Sequence, residues 1–179
     1  VINASVVGLI DGARDFDQIE NVLGMRWGVE GLMNGEVINL SAEDPSVIQK
    51  LKRTPSSALG SSRHKVQEED LQRILKRLQE FNVRYVFMIG GNDTMDTIAR
   101  LEKYAKDNDY ELIGVGVPKT VDNDLYGTDH TPGYPSAARY VALSVRQAGI
   151  LARDMQRVDR YVIYQSIGRD AGWLSAAAA

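Results

Sequence analysis

The chain has 179 residues, 44% of them hydrophobic and 25% charged, with a formal net charge of −3 and no cysteine. That length holds one domain or a piece of a larger one, and the composition is that of a globular protein rather than a membrane-spanning one, since no stretch approaches roughly 18 consecutive apolar residues. The weakly acidic balance excludes a general electrostatic footprint for nucleic acid, and the missing cysteines exclude disulfides and thiolate metal sites and point to a reducing, cytoplasmic setting.

The chain opens Val1-Ile2-Asn3 without an initiator Met or signal segment and closes on Ala176 to Ala179. It is therefore expected to be cut at both ends. Ile2, Val6, Leu9 and Ile10 share one helical face, predicting a first helix over 2–13 that Gly12 could end. Gly24 to Leu40 is a glycine-broken stretch with β-branched residues, and Arg53 to Lys65, rich in Ser, Arg and Gly with Pro55 as a breaker, reads as a loop. Glu68, Glu69 and Asp70 open a helix whose apolar face carries Leu71, Ile74, Leu75 and Leu78, its acidic residues placed where the helix dipole favours them.

Val83 to Ile89 is a buried-strand run that stops at Gly90-Gly91 and passes into a helical pattern through Met95, Ile98, Ala99 and Leu101. Leu112 to Val117 predicts a second such strand, Pro135 can open a helix running to about Asp154, and Tyr161 to Gln165 predicts a further strand. Strands alternating with helices demand crossover connections. The expected fold is therefore α/β, with a largely parallel sheet between helices and ligands gathered beyond the strands' carboxyl ends.

Two segments at that edge carry candidate chemistry. Gly90-Gly91-Asn92-Asp93-Thr94 joins a strand to a helix, where paired glycines admit a phosphate to backbone amides and to the positive end of the helix; the alternative is a plain turn with Asp93 or Thr94 as N-cap. Pro118-Lys119-Thr120-Val121-Asp122-Asn123-Asp124 brings a cation, a hydroxyl and two carboxylates together within seven residues. A carboxylate there can act as general base, a lysine can neutralise a transferring phosphoryl group, and a second carboxylate can orient the first, against the alternative of a solvated Asp/Asn turn. Gly127 to Tyr134 continues as a polar loop whose threonines and amides can bind further oxygens. His64 and His130, the only two histidines, show no metal-ligand spacing, and His130 is read as structural.

With Leu59-Gly60-Ser61-Ser62-Arg63 and Ile167-Gly168-Arg169-Asp170-Ala171-Gly172-Trp173-Leu174, these segments in this order resemble the phosphofructokinase family over nearly the whole chain. The resemblance implies a three-layer, Rossmann-like sandwich, with residues 1–179 as an incomplete donor and catalytic region and Asn3-Ala4 at the end of the family's first glycine loop. By it Asp122 matches the base that takes the proton from the 1-hydroxyl of fructose 6-phosphate. Asp124 is its neighbouring carboxylate, Thr120 contacts the sugar or the transferred phosphate, and Lys119 stabilises the transferring group. Gly91, Asp93 and Thr94, with Arg63, bind the donor phosphates. Ile167, Gly168 and Arg169 line the sugar-phosphate site, and Arg160 falls where some members reach a neighbouring subunit's substrate, which implies a homo-oligomer.

ATP-using members generally carry Gly-Gly-Asp-Gly and Pro-Gly-Thr where this chain has Gly-Gly-Asn-Asp and Pro-Lys-Thr. Asp93 and Lys119 therefore resemble the pyrophosphate-dependent group, in which side chains fill space a nucleotide would need. The implied activity is reversible transfer from magnesium pyrophosphate to fructose 6-phosphate, a step of glycolysis. The alternatives are an ATP-dependent phosphofructokinase, a non-catalytic sugar-phosphate-binding member, or a distant NAD or lipid kinase, which would lack a reason for Pro118 to Asp124. Asn92 stands where most members have a magnesium-associated aspartate, and a neutral amide is a weaker ligand for a hard cation, so the metal falls to Asp93 or to Asn92 through water.

Overall fold

The computed structural model describes residues 1–179 and divides them into two compact units, Val1–Val117 and Pro118–Ala179. The first contains α1 (Ile2–Ala13), β1 (Leu23–Met25), α2 (Gly28–Asn34), β2 (Val37–Asn39), α3 (Pro45–Leu51), α4 (Glu68–Glu80), β3 (Tyr85–Gly90), α5 (Asn92–Asp107) and most of β4 (Ile113–Pro118). The second contains α6 (Tyr134–Asp154) and α7 (Trp173–Ala177).

The parallel pair β3–β4, with α5 as its crossover, is the α/β centre of the first unit. Leu71, Ile74, Leu75 and Leu78 of α4 are all buried, as their spacing predicts, and meet Val86 and Met88 of β3 and Ile98 and Leu101 of α5 in one core. Gly114 and Gly116 let α5 lie close on β4: a Cβ at either would collide with Ile98 or Met95. Tyr85, Phe87, Ile113 and Val115 are the exposed large apolar residues of these strands. A smaller antiparallel pair, β1–β2, lies in the Gly24 to Leu40 stretch, and a second core joins Val7, Ile10, Leu40 and Ile48.

The first helix spans the expected residues and runs through Gly12 to Ala13, but its buried stripe is Asn3, Val7 and Ile10 rather than Ile2, Val6, Leu9 and Ile10. The polar Asn3 is accommodated by two hydrogen bonds: its amide donates to the Thr54 carbonyl (3.0 Å) and accepts from the Ala58 N–H (2.8 Å). The helix α3 comes without an apolar period. It is set by local chemistry, since Asp44 caps it by accepting from the Ser46 N–H at 2.7 Å and Pro45 occupies its first turn.

The strand expected over Tyr161 to Gln165 does not form. A strand needs a neighbour for its backbone groups, and these residues pair with none. Tyr161 and Ile163 stand 87% and 94% exposed, so the apolar pattern that suggests a buried strand is here without a partner.

Candidate functional site

The residues predicted to carry chemistry divide between the units. Arg63, Gly91, Asn92, Asp93 and Thr94 lie in the first; Lys119, Thr120, Asp122, Asp124, Arg160, Ile167, Gly168 and Arg169 lie in the second.

In the first unit β3 ends at Gly90 and α5 begins at Asn92, with Gly91 as the N-cap and no side chain capping the helix. Asp93 and Thr94 therefore sit in the first turn rather than at the cap, which removes the plain capping alternative. The Gly91 carbonyl accepts the N–H groups of Thr94 (3.0 Å) and Met95 (3.1 Å). Thr94 folds back over Gly90 so closely that any Cβ there would strike its hydroxyl, so glycine at 90 is a packing requirement. The result is a turn with helix N–H groups and dipole directed at its mouth, an arrangement that accepts phosphate. Asp93 is exposed on that first turn, and Arg63 is exposed on the loop before α4.

In the second unit the segment after β4 is organised by its own hydrogen bonds. Asn123 adopts φ 57°, a left-handed conformation that Asn tolerates better than most residues, and is 7% exposed. Its amide donates to the Asp129 carbonyl (3.0 Å) and accepts from the backbone N–H of Thr131 (2.8 Å), whose hydroxyl oxygen lies 3.2 Å from the same amide oxygen. Fully buried Thr131 donates its hydroxyl to the Thr120 carbonyl at 2.5 Å, and Thr120 forms a parallel bridge with Gly133. The Thr128 hydroxyl is buried with no hydrogen-bond partner, which a ligand or water oxygen would satisfy.

That framework fixes Asp122. Its backbone N–H donates to the Thr120 hydroxyl (3.1 Å), the residue is 8% exposed, and one carboxylate oxygen lies 3.7 Å from a guanidinium nitrogen of Arg169. The pair is loose, an ion pair beyond hydrogen-bonding distance in which the cation offsets part of the cost of burying the carboxylate's charge. Arg169 is itself at φ 48°, and Gly168 before it is buried, where a Cβ would strike the Ala171 carbonyl. This tight turn aims the exposed Arg169 side chain back at Asp122. Thus Thr120, Asp122 and Arg169 come together. Lys119 is half-buried at the end of β4, Asp124 is exposed, and Arg160 and Ile167 are exposed on the segment between α6 and α7.

The structuring roles of Asn123 and Thr131 are not among the expected site functions. The available signal was an Asn within a turn-rich run followed eight residues later by a threonine.

A sequence model of the family described as phosphofructokinase matches residues 1–179. The chain belongs to the phosphofructokinase family. It is 41% identical over 179 residues to the pyrophosphate–fructose 6-phosphate 1-phosphotransferase of Rhodospirillum rubrum and 42% identical over 184 residues to that of Xanthomonas campestris, covering 100% and 99% of this chain respectively. It superposes on the crystal structure of the pyrophosphate-dependent phosphofructokinase of Marinobacter aquaeolei with a TM-score of 0.88 and 39% identity, over 99% of this chain and 45% of that one. The chain spans 44% of the length of the two curated relatives.

Proposed function

We propose that these 179 residues supply the donor-binding and catalytic region of an enzyme that transfers a phosphoryl group from pyrophosphate to the 1-hydroxyl of fructose 6-phosphate. The products are fructose 1,6-bisphosphate and phosphate. The carrying observation is the buried Asp122 carboxylate held at 3.7 Å from Arg169, on a loop whose conformation is fixed by Asn123 and Thr131. Support for the donor comes from the names of the relatives and from Asp93 and Lys119, whose bulk and charge stand where ATP-using members generally carry glycine.

The pyrophosphate sits with one phosphate at the Gly91–Thr94 turn, where helix amides and dipole meet its charge, and with Arg63 as a further cation. The 1-hydroxyl attacks the transferred phosphorus in line as Asp122 takes its proton; the new O–P bond forms as the bridging P–O bond breaks, and phosphate leaves. Lys119 neutralises the equatorial oxygens, Thr120 contacts the transferred group, and Asp124 orients Asp122. Ile167, Gly168 and Arg169 line the sugar-phosphate side, and Arg160 reaches the substrate of a neighbouring subunit in a homo-oligomer.

Magnesium fits this donor set as an ion arriving with the pyrophosphate: Asp93 offers an exposed hard oxygen on the first turn of α5 beside Asn92, and Mg²⁺ characteristically takes one or two carboxylates together with substrate phosphates and water. When bound it would neutralise charge on the donor oxygens. A cytoplasmic place in glycolysis follows from the substrate pair.

Steady-state kinetics of the full-length protein test the reading, with fructose 6-phosphate as acceptor and pyrophosphate or ATP as donor. Turnover with pyrophosphate supports it; a clear preference for ATP transfers the chain to the ATP-dependent branch, and tight substrate binding without turnover makes it a non-catalytic member.

A further inference from the structure

Arg63 lies on a long connection without regular structure between α3 and α4, yet the residues on both sides of it are fastened to three different helices. Before it, the Ser62 hydroxyl hydrogen-bonds the carboxylate of Glu30 on α2, and the His64 N–H donates back to the same hydroxyl at 2.9 Å. After it, the His64 Nε2 lies 2.7 Å from a carboxylate oxygen of Asp70 in the first turn of α4. That same oxygen accepts the Gln67 N–H at 2.9 Å, and Asp70 is 6% exposed. Next, the Val66 carbonyl accepts from Arg100 of α5 at 3.0 Å, and the Arg100 guanidinium also pairs with Glu68 (2.6 Å) and Asp96 (3.7 Å). Asp96 is one turn beyond Asn92–Thr94 on the same helix. The loop and the glycine turn are thereby tied within one unit.

Between these fastenings the Arg63 side chain is exposed and makes no side-chain hydrogen bond or ion pair. We infer that His64 and Asp70 form a positioning pair that holds the backbone of Arg63 so that its guanidinium is presented to a donor phosphate. The inference rests on the proposed reading of Arg63 as a phosphate contact. The reasoning is entropic. An arginine on an unfastened loop would have to order main chain and side chain together on binding; with its neighbours already fixed, only the side chain is immobilised. The Asp70 contact to the Gln67 N–H is half of the capping box that starts α4, and the His64 ring adds to it a tie from the residue directly beside Arg63. The charged groups facing His64 and its partner are Asp70 itself and Arg73 of α4, with Glu30 on the Ser62 side.

The test is a double-mutant cycle in the full-length protein, read as KM for pyrophosphate, KM for fructose 6-phosphate, and kcat. His64→Ala is expected to raise KM for pyrophosphate about three- to tenfold, the lower part of the range for coupled contacting residues, with KM for fructose 6-phosphate within about twofold. His64→Gln, whose amide can reach Asp70, should restore most of the loss. In an Arg63→Ala background His64→Ala should change nothing further, because no guanidinium is left to place. If His64→Ala disturbs folding, Asp70→Asn carries the same cycle in its place, with melting curves as control. Multiplicative effects in the two backgrounds, or equal rises in both KM values, overturn the positioning role while leaving the reaction standing. An unmodified protein that turns over with ATP and not with pyrophosphate overturns the donor reading first, and this inference with it.

Discussion

A carboxylate oxygen of Asp122 lies 3.7 Å from the guanidinium of Arg169, two side chains 47 positions apart in sequence and brought together by the turn at Gly168. The separation exceeds hydrogen-bonding distance, so the arginine offsets part of the buried charge as an ion pair without donating a hydrogen bond to that oxygen.

If Asp122 is the base, Asp122→Asn preserves shape and removes proton acceptance. Turnover should fall by about two to four orders of magnitude while substrate affinities change little. Kinetics with both substrates varied give the answer, and near-normal turnover would take Asp122 out of the role.

Asn123 combines a left-handed backbone with two side-chain hydrogen bonds that shape the Asp122 loop. Asn123→Ala should destabilise the protein by about 2–4 kcal/mol, from unpaired buried groups plus left-handed strain in alanine. Asn123→Gly keeps the conformation accessible and should cost less, about 1–3 kcal/mol. Urea unfolding separates the two; equal losses would mean that the backbone conformation contributes nothing.

The Gln67 N–H, and after it the imidazole of His64, hold the Asp70 carboxyl below the ordinary carboxylate range. A carboxyl with a depressed folded-state pKa contributes stability that is fully present above its unfolded pKa and is lost as pH falls through the folded one. Melting temperature should therefore stay level down through the ordinary carboxylate range and drop below it. In Asp70→Ala that acid-side drop should shrink, and stability near neutrality should fall by about 1 kcal/mol for the lost helix-start contact. An unchanged acid profile in the variant would assign the effect elsewhere.

Much of this architecture is legible from apolar spacing: α4 buries the face its period selects, and Ile98 and Leu101 of α5 join Val86 and Met88 of β3 in the same core, although Tyr85, Phe87, Ile113 and Val115 leave one side of the two apolar strand runs exposed. Three features are not. The face of α1 turns by one residue because Asn3 finds two backbone partners more than fifty positions away, contacts no local pattern announces. The short α3 depends on Asp44 and Pro45 rather than on period. Tyr161 to Gln165 has the composition of a strand, but strand formation is decided by a neighbour, and none pairs with it. At the site, the motif residues were legible one by one. The Asp122–Arg169 pairing and the Asn123–Thr131 bracing depend on left-handed turns at Arg169 and Asn123, which leave only a weak trace in sequence.

Donor choice can be probed at Asp93 and Lys119. Changing both to glycine removes bulk and the lysine's pairing to pyrophosphate, a charge-assisted contact worth roughly 1.5–3 kcal/mol. Pyrophosphate activity should fall about ten- to a hundredfold and ATP activity should rise slightly from near zero, since opening space supplies no adenine or ribose contacts. Steady-state rates with each donor check this; undiminished pyrophosphate activity in the double variant would remove both residues from donor selection.

The most direct measurement is the unmodified full-length protein assayed with fructose 6-phosphate and either pyrophosphate or ATP, comparing kcat/KM for the two donors. Pyrophosphate is predicted to be strongly preferred, with fructose 1,6-bisphosphate and phosphate as products; a higher kcat/KM for ATP would contradict the account.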